Sequence, residues 1–213
     1  MPEGPEIHLA CRFVNHVCSN RIFSGKVVKS VVSKCDDVSF DCESYTVSAS
    51  ARGKEMQLAL HPNSSLLVNK EKKYKTSSGN MTKILFRFGM SGSFHFSSIN
   101  ELHKHAHLKF FTKETPPMVL SFVDTRRFGR WEVNSDWSKD RSPDPMFEYQ
   151  VFRSNIVMNI SNKVFERPIC EVLLDQKFFN GIGNYLRAEI LYRSGIAPFT
   201  KARNVLEGLP EIP

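Results

Sequence analysis

The chain has 213 residues, enough for one large domain or two small ones, and its 41% hydrophobic and 24% charged residues are those of a folded globular protein. Lysine and arginine number 29 against 22 aspartates and glutamates, giving +7 at neutral pH and a pI near 9.2, a balance that favours a polyanionic partner. No run of about 18 apolar residues is present, which excludes a helical membrane span, and no signal-like leader precedes the first helix, so an intracellular protein is expected.

The chain opens MPEGPE, with Pro2 directly behind the initiator methionine. Removal of Met1 leaves a free secondary amine at Pro2, which is either a frayed start or a nucleophile supported from elsewhere. Ile7, Ala10, Cys11, Val14, Val17 and Cys18 recur at helical spacing, and Pro5 suits a first turn, so a helix is expected over 5–18.

From about 22 to 133 the pattern is β: RIFSGKVVKSVV, YTVSAS, KEMQLAL, KILFRF, SFHF, HLKFF and MVLSFV are short, rich in β-branched and aromatic residues, and bounded by turn formers. Such a run without interposed helices predicts an antiparallel sandwich or barrel. Within it, SASARGKEMQL sets Lys54 behind a glycine, either a solvated charge or a side chain reaching into a cleft. HPNSSLLVNKEKKYKTSSGNMT reads as a long mobile hairpin loop. FRFGMSGSF places Met90 between glycines on a turn, where an apolar tip projects into solvent. HKHAHLKF carries His103, His105 and His107 at alternate positions, hence on one face of a strand, with no carboxylate or cysteine beside them to complete a metal set. DTRRFGRW gathers Arg126, Arg127, Phe128 and Arg130, a mixture that suits stacking on bases and pairing with phosphates.

Beyond SKDRSPDPM the signal turns helical, with candidates in FEYQVFRSNIVMNI, RPICEVLLDQ, YLRAEILYRSG and KARNVLEG. In DQKFFNGIGNYLRAEILY, Gly181 and Gly183 precede the helix that begins near Asn184. The pair makes either a tight helix–helix turn or a backbone cradle for an anion, with Asn184 as cap or phosphate ligand. The expected architecture is α+β: an N-terminal helix and antiparallel β-sandwich lobe over 1–135, then an α-helical lobe over 150–213. The five cysteines are scattered, with no C-x-x-C pair, so reduced thiols and no structural zinc are expected.

MPEGPE, ARGKE, FRFGMSGSF, HAHL, FVDTRRFGRW and DQKFFNGIGNYLRAEILY stand in this order over roughly 2–207, and together they resemble the Fpg/Nei family of base-excision repair glycosylases, most of all its eukaryotic endonuclease VIII-like 1 branch. The resemblance implies a helix–two-turn–helix motif in the helical lobe and removal of oxidised pyrimidines and formamidopyrimidines from DNA, double- or single-stranded. It implies Pro2 as the Schiff-base nucleophile, Glu3 as proton shuttle and Lys54 as proton donor, with β,δ-elimination of the strand and no metal or cofactor. Met90, Arg126 and Phe128 are then the residues that fill the hole left by an everted base. Asn184, Gly183 and His105 are phosphate contacts, and Glu6 lines the base pocket. A monomer acting in the nucleus is expected. The family's β-hairpin finger would follow KARNVLEGLPEIP, so a truncated form is expected, either an active bifunctional glycosylase or an impaired one that only binds DNA.

Overall fold

The computed structural model describes residues 1–63 and 81–208. Two compact units divide the chain: Met1–Pro2, His8–Ala51 and Glu55–Asp136 form one, and Glu3–Ile7, Arg52–Lys54 and Trp137–Pro213 the other.

Helix α1 spans Gly4–Cys18 and buries Ile7, Cys11, Val14 and Cys18, the stripe that its sequence spacing predicts. Asn15 on this helix grips β3 (Asp41–Arg52) through both backbone groups of Ala49, accepting its N–H at 2.7 Å and donating to its carbonyl at 2.9 Å.

Strands β1 (Phe23–Lys26), β3, β4 (Glu55–Pro62), β5 (Thr82–Arg87) and β9 (Arg130–Val133) form one sheet in the order β1-β3-β4-β5-β9. Strands β2 (Val28–Lys29), β7 (Ala106–Phe111), β8 (Met118–Asp124) and β6 (Gly92–Ser98) form a second in the order β2-β7-β8-β6. Aromatic rings lock the sheets face to face: Phe86 of the first lies 5.1 Å, centroid to centroid, from both Phe94 and Phe122 of the second. The buried carboxylate of Glu55 at the start of β4 accepts from Arg87 Nε at 2.8 Å, and Arg87 also pairs with Glu132 on β9.

The helical unit contains α2 (Tyr149–Asn159), α3 (Ile169–Val172), α4 (Asn184–Arg193) and α5 (Ala202–Glu207). They enclose a core of Ile156, Phe165, Ile169, Val172, Leu173, Phe178, Phe179, Ile182, Leu191 and Ala202.

Two local expectations need correction. His103 and His105 lie in the turn before β7 and only His107 is on the strand, so the three do not share a strand face, although the rings of His103 and His105 are 5.5 Å apart. RPICEVLLDQ makes a single helical turn, since Leu174 and Asp175 close i→i+3 bonds to Glu171 and Val172 and the chain turns away. RWEV, at the end of the stretch expected to be β, is strand β9, with Trp131 buried opposite Phe86. Of the proposed loop 61–82, His61 and Pro62 end β4 and Thr82 begins β5, while 64–80 lie outside the described residues.

Candidate active site

Glu3 precedes α1 and is 1% exposed. Its backbone N–H donates to Glu6 Oε2 at 2.9 Å, one half of a capping box, and this fixes the direction in which its side chain leaves. That side chain crosses to the start of α4. There Oε2 accepts from Gly183 N at 2.7 Å and Leu186 N at 3.2 Å, and Oε1 from Tyr185 N at 3.1 Å. The first amides of a helix need an acceptor and sit at its positive end, so the chain's own carboxylate supplies the anion expected at this glycine turn.

Asn184 is therefore not the cap. It is the first residue of α4, exposed, behind a Gly183 N-cap whose amide is taken by Glu3. Gly183 has to be glycine for reasons of space: a Cβ there would fall 2.2 Å from Glu3 Oε1. Glu6 is exposed and accepts the Tyr185 hydroxyl at 2.7 and 2.8 Å on its two oxygens. Burial and then this bond to Glu6 push the Tyr185 phenol above its ordinary pKa.

Lys54 lies on the two-residue connection between β3 and β4. Gly53 takes φ +56°, the left-handed conformation that such a turn demands, and a Cβ on it would lie 2.0 Å from Asn180 Oδ1. The turn is fastened by Asp144, which is 5% exposed and accepts Gly53 N–H at 2.6 Å. Glu148 Oε2 in turn accepts Asp144 N–H and Arg52 Nε, both at 2.7 Å. From this support Lys54 Nζ donates to the Ile182 carbonyl at 2.7 Å. Burial lowers the Lys54 ammonium below its ordinary pKa; the Glu3 carboxylate opposes that and the Arg141 guanidinium adds to it.

Glu3 and Lys54 thus meet on successive residues, Gly183 and Ile182, of one turn. Pro2 is half-buried beside Glu3 in the chain, behind an exposed Met1. The sandwich carries the other group of expected residues. Met90 is 45% exposed on the β5–β6 turn, and Phe128 is 55% exposed with the Arg126 guanidinium 5.1 Å above its ring. His105 stands half-buried, and desolvation, then the charges of Lys104, His103, His107 and Arg127, hold its pKa below the ordinary imidazole value.

Several supporting residues are not apparent in the sequence. Asp144 sits between Pro143 and Pro145, which reads as a boundary, although its four-residue spacing to Glu148 ahead of α2 is a usable capping signal. Asn180 is fully buried with its amide donating to the Ser142 carbonyl at 3.0 Å, and no local pattern marks it.

Comparison with known proteins places the chain in a family. Residues 1–131 match the formamidopyrimidine-DNA glycosylase N-terminal domain, and residues 142–209 the formamidopyrimidine-DNA glycosylase H2TH domain. Endonuclease 8-like 1 of Homo sapiens is 52% identical over 212 residues, covering 99% of this chain and 52% of that protein. The Mus musculus protein of the same name is 51% identical over 212 residues, again covering 52% of its length. The chain thus spans about half the length of these curated relatives. Among solved structures, the MutM (Fpg) protein of Thermus thermophilus superposes with a TM-score of 0.66 at 23% identity, covering 95% of this chain and 68% of that one. The Lactococcus lactis Fpg in complex with abasic-site DNA gives 0.66 at 19% identity, covering 95% and 71%; these two establish the fold alone. With both of its domains matched and nearly its whole length aligned to the human and mouse relatives, the chain belongs to the Fpg/Nei family of DNA glycosylases.

Proposed function

We propose that this chain is a base-excision DNA glycosylase and abasic-site lyase that removes oxidised pyrimidines and formamidopyrimidines. The observation that carries the reading is the convergence of Glu3 and Lys54, 51 positions apart, on the Ile182–Gly183 turn. The site residues follow the resemblance, and their surroundings support the roles.

With Met1 removed, the Pro2 nitrogen is an α-amine, a class whose ordinary pKa of about 8 lies below the about 10.4 of a lysine, so more of such an amine is free to attack at neutral pH. Its lone pair adds to C1′ of the damaged nucleotide, and the glycosidic electrons leave with the base, which takes up a proton. Lys54, a cation whose burial eases proton release, serves as the donor for the opening sugar or the leaving base. The Pro2 nitrogen then loses its proton and the C1′–O4′ bond breaks, with O4′ taking up a proton, which leaves an iminium at C1′. The iminium acidifies C2′–H, and a base removes that proton as the 3′ phosphate leaves, which is the β step. A second elimination expels the 5′ phosphate. Glu3, next to Pro2 and fixed by three amides, moves these protons.

Met90, Arg126 and Phe128 fill the space of the everted base, while Asn184 and His105 contact flanking phosphates beside Gly183, whose amide Glu3 already holds, and Glu6 borders the base. The exposure of Met90 and Phe128 supports the first of these roles, since an apolar wedge has to stand clear of the protein. The protein acts as a monomer on duplex or single-stranded DNA, in the nucleus, without metal or cofactor.

The test is borohydride trapping on duplex DNA carrying thymine glycol or an abasic site, after mass spectrometry has established a Pro2 terminus. A covalent adduct is expected on both substrates and is lost in Pro2→Gly. An adduct on the abasic site alone would leave a lyase without base excision. Its absence on both, with folded and processed protein, would leave a DNA-binding form and overturn the proposal.

A further inference from the structure

We infer that Asp124 is the positioning residue that joins the turn carrying Met90 to the turn carrying Arg126 and Phe128, so that the three enter duplex DNA as one rigid wedge. The inference rests on the glycosylase reading above.

Asp124 ends β8 and is 1% exposed, although it lies between two exposed turns. Its Oδ1 accepts the Ser91 hydroxyl at 2.5 Å and Arg126 N at 3.2 Å, and its Oδ2 accepts Gly129 N at 2.7 Å. Ser91 follows Met90 directly, and Arg126 N also donates to Ser91 Oγ at 3.1 Å. A single carboxylate therefore closes both ends of the 126–129 turn and ties it to the 89–91 turn.

The two turns also touch. A Cβ on Gly89 would lie 2.6 Å from the Phe128 carbonyl carbon, and one on Gly129 would lie 3.0 Å from Asp124 Oδ2. Arg127, between the two wedge residues, holds φ +56°, a conformation that a non-glycine residue adopts only where its surroundings impose it. Below, the Asp124 carbonyl accepts His107 Nε2 at 2.9 Å, and His107 Nδ1 meets Ser30 Oγ at 2.8 Å, so the carboxylate is carried on a fixed strand end.

A carboxylate suits this place because all three neighbours are donors, and it offers only acceptors. Asparagine has the same shape but turns an NH₂ towards either Gly129 N–H or Arg126 N–H, which frees one end of the turn. Wedge geometry matters only where a base stack has to be propped open. Single-stranded DNA leaves no orphaned partner and no hole, so its reaction at an abasic site reports the chemistry without the wedge.

The experiment compares borohydride trapping by wild type, Asp124→Asn and Ser91→Ala on one abasic oligonucleotide, single-stranded and paired. For Asp124→Asn the ratio of duplex to single-strand trapping rate is expected to fall about tenfold or more, the size of effect that a misplaced group produces. Ser91→Ala, which loses one hydroxyl and no charge, should shift the ratio the same way by less, and it carries the test should Asp124→Asn not fold. A ratio unchanged from wild type, or an equal loss on both DNA forms, overturns the inference while leaving the glycosylase reading in place. A wild-type chain that traps on neither form overturns both.

Discussion

Glu3 and Gly183, 180 positions apart, are joined by a 2.7 Å hydrogen bond that gives the N-terminus of α4 its anion. The contact leaves no room, since a Cβ on Gly183 would stand 2.2 Å from Glu3 Oε1. Gly183→Ala is therefore expected to cost about 1–3 kcal/mol, as overpacking of a filled site does. Because the residue forced aside is the one proposed to shuttle protons, trapping should fall further than the stability loss alone would bring. Thermal melts beside trapping rates at a temperature where both proteins are folded would check this.

Glu3→Gln keeps the size of the side chain and removes one acceptor. Three amides point at the carboxylate, so the new NH₂ has to face at least one of them, and an unpaired buried donor costs about 1–3 kcal/mol. On the role proposed for Glu3, loss of the group that moves protons adds a fall of about 10² or more in trapping rate. A Glu3→Gln protein that melts at the wild-type temperature would show that the cap contributes nothing to the fold.

Gly53→Ala meets two separate obstacles, the φ of +56° and Asn180 Oδ1 at 2.0 Å. The conformational part amounts to about 1–2 kcal/mol, and the clash adds about 1–3 kcal/mol. Asn180→Ala in the same protein should recover the clash and leave the conformational part, so the double-mutant cycle shows a coupling well clear of zero. Chemical denaturation of the four proteins measures it, and strict additivity would mean that the two residues do not press on each other.

For Lys54 the sign of the pH dependence follows from burial, which sets the folded pKa below the unfolded 10.5. Between those two values the unfolded chain holds a proton that the folded chain has released, so stability rises with pH across that window. Below it, the wild type bears the full cost of a partly buried cation. Lys54→Met removes that cost and leaves the Ile182 carbonyl still bonded to Gln176 Nε2 at 2.8 Å. The melting temperature of Lys54→Met relative to wild type should be highest near pH 7 and decline as pH approaches 10.5, while base excision is lost throughout. A constant difference between the two proteins across that range would count against a depressed lysine.

What the sequence makes legible is whatever repeats over short distances. The 3.6-residue spacing of Ile7, Cys11, Val14 and Cys18 predicts α1, and the aromatic and β-branched runs predict most strands. Strand β9 lies inside the stretch expected to be β but is not among the runs singled out, since the charged Arg126–Arg127 segment leads into it, and pairing with β5 defines RWEV as a strand. The Fpg/Nei motifs point to Pro2, Glu3, Lys54 and the wedge residues as a set. What they do not carry is who holds whom. Nothing near Asn184 signals that Glu3 will cap its helix, and nothing near Gly53 signals Asp144, since each partner lies 91 or more positions away. Such contacts arise from tertiary packing, which local periodicity does not encode.

The helical unit begins in sequence at Trp137, yet it also claims Glu3–Ile7 and Arg52–Lys54. A gene fragment starting at residue 137 would encode α4 without the carboxylate that receives its first amides and without the lysine that bonds Ile182. Recombination that exchanged this unit between relatives at a single crossover would break both contacts or import a mismatched pair. Inheritance of the Ile182–Gly183 turn with both of its partners therefore requires three separate stretches of the gene to travel together.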